Sequence, residues 1–421
     1  MNQFPPNVGQ MHSIMSHAKT LGILQGHFTD YQLNGQTIHL NGKDLHHFAN
    51  CSYLGLELDP RLKAAAQDAI ERYGIQFSSS RTYLESNLYE ILEDKLAQIF
   101  GKPVLVAPTT SLGHISWIPN VVQKNDAIIL DHQVHRSVQN ASMIAKANGT
   151  HVELLRHNRM DLLEDRIVEL SKNYRKVWYM ADGVYSMFGD VAPMQILYTL
   201  MNKYEQFHLY VDDAHGMSWS GTHGRGYALS RVSYFHEKMC FITSINKGFG
   251  ANGSAMVFSD EIQKMMIKNA GSTLIFSGPV SPVMLAAGIA SADIHLSDEI
   301  YDRQRKLQKL MQHFIKKANE LKLPLVRQDL TPICYLAVGA NPLHCVDIAV
   351  GLQKDGYFVN VSSFPTVPLK NSGIRITLNV NHTEETITGL LTSLKHRMDE
   401  LQIVREEVMK AFVSKDLTQV L

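Results

Sequence analysis

The chain has 421 residues, enough for a large buried core and, at roughly 150 residues per domain, for two or three domains. Its 40 basic and 40 acidic residues leave no net field that would draw it to nucleic acid or an anionic membrane, so a small-molecule partner and no nucleic acid are expected. Cys51, Cys240, Cys334 and Cys345 stand far apart with no CxxC pair, which argues against a disulfide framework or a zinc ribbon and fits a reducing compartment.

The N-terminal stretch MNQFPPNVGQMHSIMSHAK lacks a basic segment followed by an apolar one, and no uncharged apolar run reaches the ~18 residues of a membrane span. A cytoplasmic protein without a membrane span is expected. Residues 1–60 read as an N-terminal arm. From residue 103 onward short apolar runs recur: PVLVAP, DAIILD, HVELL, KVWYMAD, HLYVDD, CFITSI and SAMVFS. Continuous runs of this kind suit strands buried on both faces of a mostly parallel sheet. Between some of them, SVQNASMIAKANG and MQILYTLMNKYEQ carry apolar residues at helical spacing.

The last two runs differ. Only the nine residues 245–253 separate CFITS from SAMVFS, too few for a helical crossover of about a dozen residues. These two strands are expected to be antiparallel neighbours, with Lys247 on the glycine-rich turn between them. The fold class expected is α/β: a mostly parallel seven-stranded sheet with one antiparallel strand over 61–290, and a smaller α+β domain over 291–421. In the latter, the amphipathic stretch DEIYDRQRKLQKLMQHFIKKANEL leads into short strands (ICYLAVG, YFVNVS, IRITLNV) and a final helix from about Thr383.

Ligands of an open parallel sheet bind beyond the carboxyl ends of its strands, so the polar residues there are the ones to weigh. Asp131 and His135 follow one run, Asp182 ends another, Asp212 and Asp213 a third, and Ser244 and Lys247 a fourth. Each aspartate alone reads equally as a helix N-cap. Taken together, a carboxylate, a histidine three residues on (His215) and a lysine on a later turn suit a cofactor aldehyde held by an amine, with a ring nitrogen kept protonated by the carboxylate. That is pyridoxal phosphate chemistry. A His132/His135 metal pair has no third ligand at plausible spacing.

The stretch YVDDAHGMSWSGTHGRG resembles the VDEAHxxGxxGxxGRG of the α-oxoamine synthases, pyridoxal phosphate enzymes of fold type I. NCSYLGL (50–56), LYEILEDKLAQIFG (88–101), ADGVYSMFGDVAP (181–193), SINKGFGANG (244–253) and GIRITLNVNHTEE (373–385) are similar to further motifs of the same family, in the same order. The resemblance implies that Lys247 carries the cofactor covalently and moves the substrate's α-proton, and that Asp212 pairs with the ring nitrogen. It implies that His215 and Ser186 bond the phenolic oxygen and that His135 lies on the ring face, with Asp182 counted beside them. Thr109, Thr110 and Ser111, in APTTSLGH, and Ser244 are implied as phosphate ligands. Arg375 is implied as the clamp on the substrate carboxylate, with Arg81 a second substrate contact.

Three departures stand out. Thr109-Thr110-Ser111 replaces the family's Ser-Gly-aromatic, Gly278 replaces a threonine that reaches the partner subunit's phosphate site, with Ser277 beside it, and Tyr89 replaces a histidine. The activity implied is condensation of a small α-amino acid with an acyl-CoA or other acyl thioester, with decarboxylation, in a homodimer. An aminotransferase or carbon–carbon lyase would use the same lysine, aspartate and arginine. A non-catalytic protein on the same fold is the third reading, against which the retained Lys247, Asp212 and His215 argue.

Overall fold

Strand pairing gathers the apolar runs as their burial pattern requires. The computed structural model describes residues 6–364 and 366–413. The first five residues of the expected N-terminal arm, Pro365 and the last eight residues of the expected C-terminal domain lie outside the described residues. The chain divides into two compact units, Ser52–Ser186 with Asp190–Arg305, and Met1–Cys51 with Met187–Gly189 and Lys306–Leu421.

In the second of these units a hairpin joins β1 (Thr37–Leu40) to β2 (Lys43–His47). Its turn is Asn41-Gly42, both left-handed at φ 53° and 77°, the pair that a tight hairpin demands. This hairpin was not foreseen, because TIHLNGKDLHH is too polar to read as strand; its buried face is only Ile38, Leu40 and Leu45.

The first unit is built on β3 (Val104–Ala107), β4 (Ala127–Asp131), β5 (His151–Leu155), β6 (Val177–Asp182), β7 (Phe207–Asp212), β8 (Met239–Ser244) and β9 (Ser254–Val257). They form one sheet in the order β3-β9-β8-β7-β6-β4-β5, parallel except for β9, which runs antiparallel to both its neighbours. Alternate residues enter two cores, one on each face: Val104, Val106, Ala127 and Ile129 on one, Leu105, Ala107, Ile128 and Leu130 on the other. Double burial explains why these strands read as unbroken apolar runs.

The C-terminal part of the other unit holds β10 (Ile333–Ala337), β11 (Tyr357–Phe358), β12 (Asn360–Ser362) and β13 (Gly373–Thr377). Expected as one strand, YFVNVS instead splits in two. β11 runs parallel to β2 while β12 pairs with β13, so the segment serves two small sheets. The helix expected last, Glu384–Glu400, starts from a Thr383 cap that accepts from the Thr386 N–H, and a further helix, Arg405–Val413, follows it.

The parallel register sets the carboxyl ends of three strands side by side. Asp182 stands opposite Asp212 and Asp212 opposite Ile242. At the end of β4, Asp131 enters a buried group of its own. Its Oδ1 lies 2.8 Å from His157 Nδ1 and its Oδ2 accepts from Tyr179, at 2.7 Å, while His157 Nε2 meets Asp190. Burial alone would lower the His157 pKa, but hydrogen bonds to Asp131 and Asp190 and their charges outweigh it and raise it to about 9.

The sign of the linkage follows. Because the folded value lies above the ordinary 6.5, His157 contributes stability that is complete below about 6.5 and is lost as the pH rises through about 9. Urea midpoints measured from pH 6 to 10 are expected to fall over that window in the wild type and to fall less steeply in His157→Gln; equal slopes would show that the imidazolium is not held between the two carboxylates.

Candidate active site

Lys247 sits in the connection between β8 and β9. That loop is closed by its own backbone, with Ile245 N–H donating to Gly253 O (3.1 Å), Ala251 N–H to Ile245 O (2.9 Å) and Gly250 N–H to Lys247 O (3.0 Å). Gly250 is left-handed at φ 79°, and a Cβ there would lie 2.7 Å from Leu56 Cβ and 2.8 Å from Glu57 N. Glycine is needed for both reasons.

The Lys247 Nζ lies 2.7 Å from His215 Nε2, and His215 Nδ1 lies 2.7 Å from the Tyr53 hydroxyl. A Lys247 ammonium donating to Nε2 leaves the ring proton on Nδ1, toward the Tyr53 oxygen. The backbone of His215 is held as well, since its carbonyl accepts from the Trp219 indole at 2.7 Å. Tyr53 lies in the NCSYLGL motif, but its role escaped sequence reasoning; an aromatic hydroxyl in a stretch otherwise apolar from 53 to 56 was the available signal.

Asp212 ends β7 and is only 4% exposed. Its Oδ1 accepts from the Ala214 N–H at 3.0 Å, and its Oδ2 lies 2.9 Å from His114 Nε2. Burial pushes its carboxyl toward protonation, but the charge and hydrogen bond of His114, helped by His135 and Lys247, hold it at about 2. Asp182 goes the other way: burial, then the neighbouring Asp212 charge, drive its pKa well above the carboxylate range. Its Oδ1 accepts from the His135 backbone N–H at 3.0 Å. Asp213 is likewise pushed far up, first by burial, and packs against glycines. A Cβ at Gly183 or Gly216 would lie 2.1 Å from its Oδ1, and one at Gly226 2.4 Å from its Oδ2.

His135 caps the helix Arg136–Ala147, its Nδ1 accepting from the Ser137 N–H at 3.3 Å, and burial lowers its pKa. Its side chain thus both caps a helix and lies near Asp212 and Lys247, whose charges it feels. The helix Thr110–Val121 begins just past β3, with Thr109 Oγ1 accepting from Leu112 N–H at 3.1 Å and Thr110 and Ser111 in the first turn. A helix N-terminus with hydroxyls is a ready anion site. Ser277 donates to Thr273 O, and Thr273 in turn donates to Leu112 O at 2.6 Å, tying that segment to the same helix. Ser244 donates to Asn246 Oδ1, and Ser186 is half-buried.

Two arginines complete the expected set. Arg375 lies on β13, in the other unit, half-buried and with Nη2 4.0 Å from Cys51 Sγ. Arg81 has partners of another kind. Its guanidinium donates to Val106 O (2.7 Å), pairs with Glu93 (2.7 Å) and Glu85, and lies 3.9 Å from the centre of the Tyr89 ring. These contacts make Arg81 a buried structural hub, its guanidinium already engaged by protein groups in place of a substrate. The Tyr89 hydroxyl accepts the Val280 N–H at 2.7 Å.

The arrangement fits pyridoxal phosphate. It offers an amine for the aldehyde, a carboxylate that stays ionised although buried and so suits a protonated ring nitrogen, and a hydroxyl-rich helix N-terminus for the phosphate. Fold and site together define an enzyme of fold type I that depends on this cofactor.

No family model matches the chain. It is 30% identical over 363 residues to the 8-amino-7-oxononanoate synthase of Buchnera aphidicola subsp. Baizongia pistaciae, covering 86% of this chain and 91% of that one. With the 8-amino-7-oxononanoate synthase of Methylobacillus flagellatus it shares 28% identity over 398 residues, 94% of this chain and 97% of that one. Among solved structures, serine palmitoyltransferase from Sphingomonas wittichii matches with a TM-score of 0.85 at 22% identity, covering 96% and 99% of the two chains. An 8-amino-7-oxononanoate synthase from Francisella tularensis gives 0.71 at 19% identity, covering 85% and 99%. The chain belongs to the α-oxoamine synthase family of pyridoxal phosphate-dependent acyltransferases.

Because Arg81 and Glu93 are both buried, removing the guanidinium takes away the close partner of Glu93 and leaves it only the longer contact to Lys264 Nζ, at 3.5 Å. Arg81→Met is expected to lower unfolding stability by about 3–5 kcal/mol, read from urea midpoints with the native slope retained; a variant as stable as the wild type would return Arg81 to the pool of substrate contacts.

Proposed function

We propose that this chain condenses a small α-amino acid with an acyl thioester, acyl-CoA being the substrate class of the family, with loss of carbon dioxide to give an α-aminoketone. The observation that carries this reading is the Lys247–His215 contact at 2.7 Å beside an Asp212 carboxylate held ionised at a strand end. Pyridoxal phosphate, when bound, supplies an aldehyde that links to amines and a ring that draws electrons from the α-carbon.

The chain's own residues divide the remaining work. Lys247 would anchor the cofactor through Nζ, and that amine, when free, would take the substrate's α-proton. His215, fixed by Tyr53, orients that amine, and His215 with Ser186 faces the phenolic oxygen. Asp212 accepts a hydrogen bond from the ring nitrogen and favours its protonated form. Asp182, protonated beside it, removes a competing charge. His135 lies against the ring, while Thr109, Thr110, Ser111 and Ser244 hold the phosphate. For Arg375 the carboxylate clamp rests on the resemblance of GIRITLNVNHTEE alone. We further propose a cytoplasmic homodimer in which the 275–282 segment serves the partner's phosphate site. Gly278 there would leave a side chain room, its nearest neighbour being Gln76 Nε2 at 3.9 Å.

Borohydride treatment of the loaded protein is expected to leave a pyridoxyl group on the peptide that contains Lys247, and Lys247→Ala to lose both the label and turnover. Across a panel of amino acids and acyl-CoAs, the true pair is expected to release free thiol and carbon dioxide from the amino acid's carboxylate in equal amounts. Thiol without carbon dioxide would mark a ligase, carbon dioxide without a thioester a decarboxylase, and a keto acid formed only with an amino acceptor an aminotransferase.

Asp212→Asn keeps the shape and removes the charge. It is expected to bind cofactor and to slow turnover by several powers of ten, each about 1.4 kcal/mol of barrier; undiminished turnover would remove Asp212 from this role.

A further inference from the structure

Three carboxyl groups are buried together at the carboxyl edge of the sheet, and they provide an internal comparison. Asp182, Asp212 and Asp213 are 3%, 4% and 0% exposed. Each accepts a backbone N–H at similar length: Asp182 from His135 (3.0 Å), Asp212 from Ala214 (3.0 Å) and Asp213 from Ala228 (2.9 Å), with a further backbone bond from Tyr227 to Asp213. Burial drives Asp182 and Asp213 well above the carboxylate range, yet Asp212 stays low. Backbone bonding does not distinguish them.

His114 does. It lies on the helix Thr110–Val121, is fully buried, and reaches Asp212 Oδ2 with Nε2 at 2.9 Å. On the far side its Nδ1 lies 2.9 Å from the hydroxyl of Tyr210, two residues before Asp212 on β7 and also fully buried. With Asp212 ionised, the proton between them belongs to Nε2, and Nδ1 is the natural acceptor for the Tyr210 O–H. The other charged or titratable groups around Asp212 are His135 and Lys247, whose charges also hold its carboxyl down, and Asp182 and Asp213, which are driven upward.

We propose that His114, held by Tyr210, is the positioning residue that keeps Asp212 an ionised, oriented acceptor for the nitrogen of the cofactor ring. The inference rests on the assignment of Asp212 made above and adds to it the residue through which that carboxylate acts. A carboxylate oxygen accepts more than one hydrogen bond, so the His114 contact leaves Asp212 capacity for the ring N–H. Without His114, Asp212 loses its side-chain hydrogen bond and the largest of the influences that oppose burial, so its carboxyl is driven upward and favours the ring cation less.

The test compares pyridoxal phosphate with its analogue bearing carbon in place of the ring nitrogen, each titrated into apoprotein by absorbance. Wild type is expected to bind pyridoxal phosphate more tightly than the analogue. His114→Leu is expected to weaken pyridoxal phosphate about 10-fold or more and to leave the analogue within about twofold, on the order of the precision of such titrations. His114→Gln, which keeps a donor, is expected to recover part of the loss, and Tyr210→Phe to show a smaller loss with the same selectivity. Equal losses for both ligands, or none for either, overturn the proposal; should His114→Leu not fold, Tyr210→Phe decides by the same comparison. A wild type that binds both ligands equally and takes no borohydride label on Lys247 would instead overturn the assignment of the site itself.

Discussion

An ionised carboxylate buried at the end of a strand is costly, and the organisation of this site follows from keeping one there. Born and burial terms favour a neutral Asp212; His114, His135 and Lys247 reverse that preference. The parallel ladder makes the problem sharper, because register places Asp182 directly opposite. Two such carboxyls side by side do not both ionise, and the proton goes to Asp182, which has only a backbone donor. The result is one negative group facing cationic and hydrogen-bonding neighbours, the environment that a pyridinium ring requires.

Close packing holds these groups in place. Gly183, Gly216 and Gly226 come so near the Asp213 carboxyl that no side chain fits at any of them, and Gly250 lets the lysine turn press on Leu56 and Glu57. The glycines of the GTHGRG and INKGFGANG stretches are in this sense spacing elements that set how closely backbone and carboxyl approach. Elsewhere in the same unit Arg81, Glu93, Glu85 and Tyr89 form a second buried polar cluster, satisfied internally. Tyr89, which stands where relatives in the family pattern carry histidine, belongs to that cluster and to the Val280 backbone.

Much of the fold was legible from the chain. The six inner and opposite-edge strands of the large sheet read as continuous apolar runs because both of their faces are covered, while the half-exposed edge strand β5 is more polar; the antiparallel placement of β9 followed from a connection too short for a crossover. Local composition also revealed the long amphipathic helix, Glu299–Glu320, and the Thr383 start of the helix Glu384–Glu400, though not the separate helix Arg405–Val413 beyond it. The β1–β2 hairpin escaped because its buried face amounts to a few residues, and YFVNVS was read as one strand because nothing local reveals that its two halves serve different sheets.

For the site, sequence determined which residues stand at strand ends and on the lysine turn, since strand length and loop length are local quantities. Only the tertiary structure decided what those residues touch. Asp212 and His114 are separated by 98 positions, and Tyr53 and His215 by 162. No periodicity connects residues so far apart. Protonation was also beyond the sequence: Asp182, Asp212 and Asp213 are the same residue type at or just past strand ends, and what sets Asp212 apart from the two carboxyls driven upward is the His114 hydrogen bond, delivered by the helix after β3, with the nearby His135 and Lys247 charges.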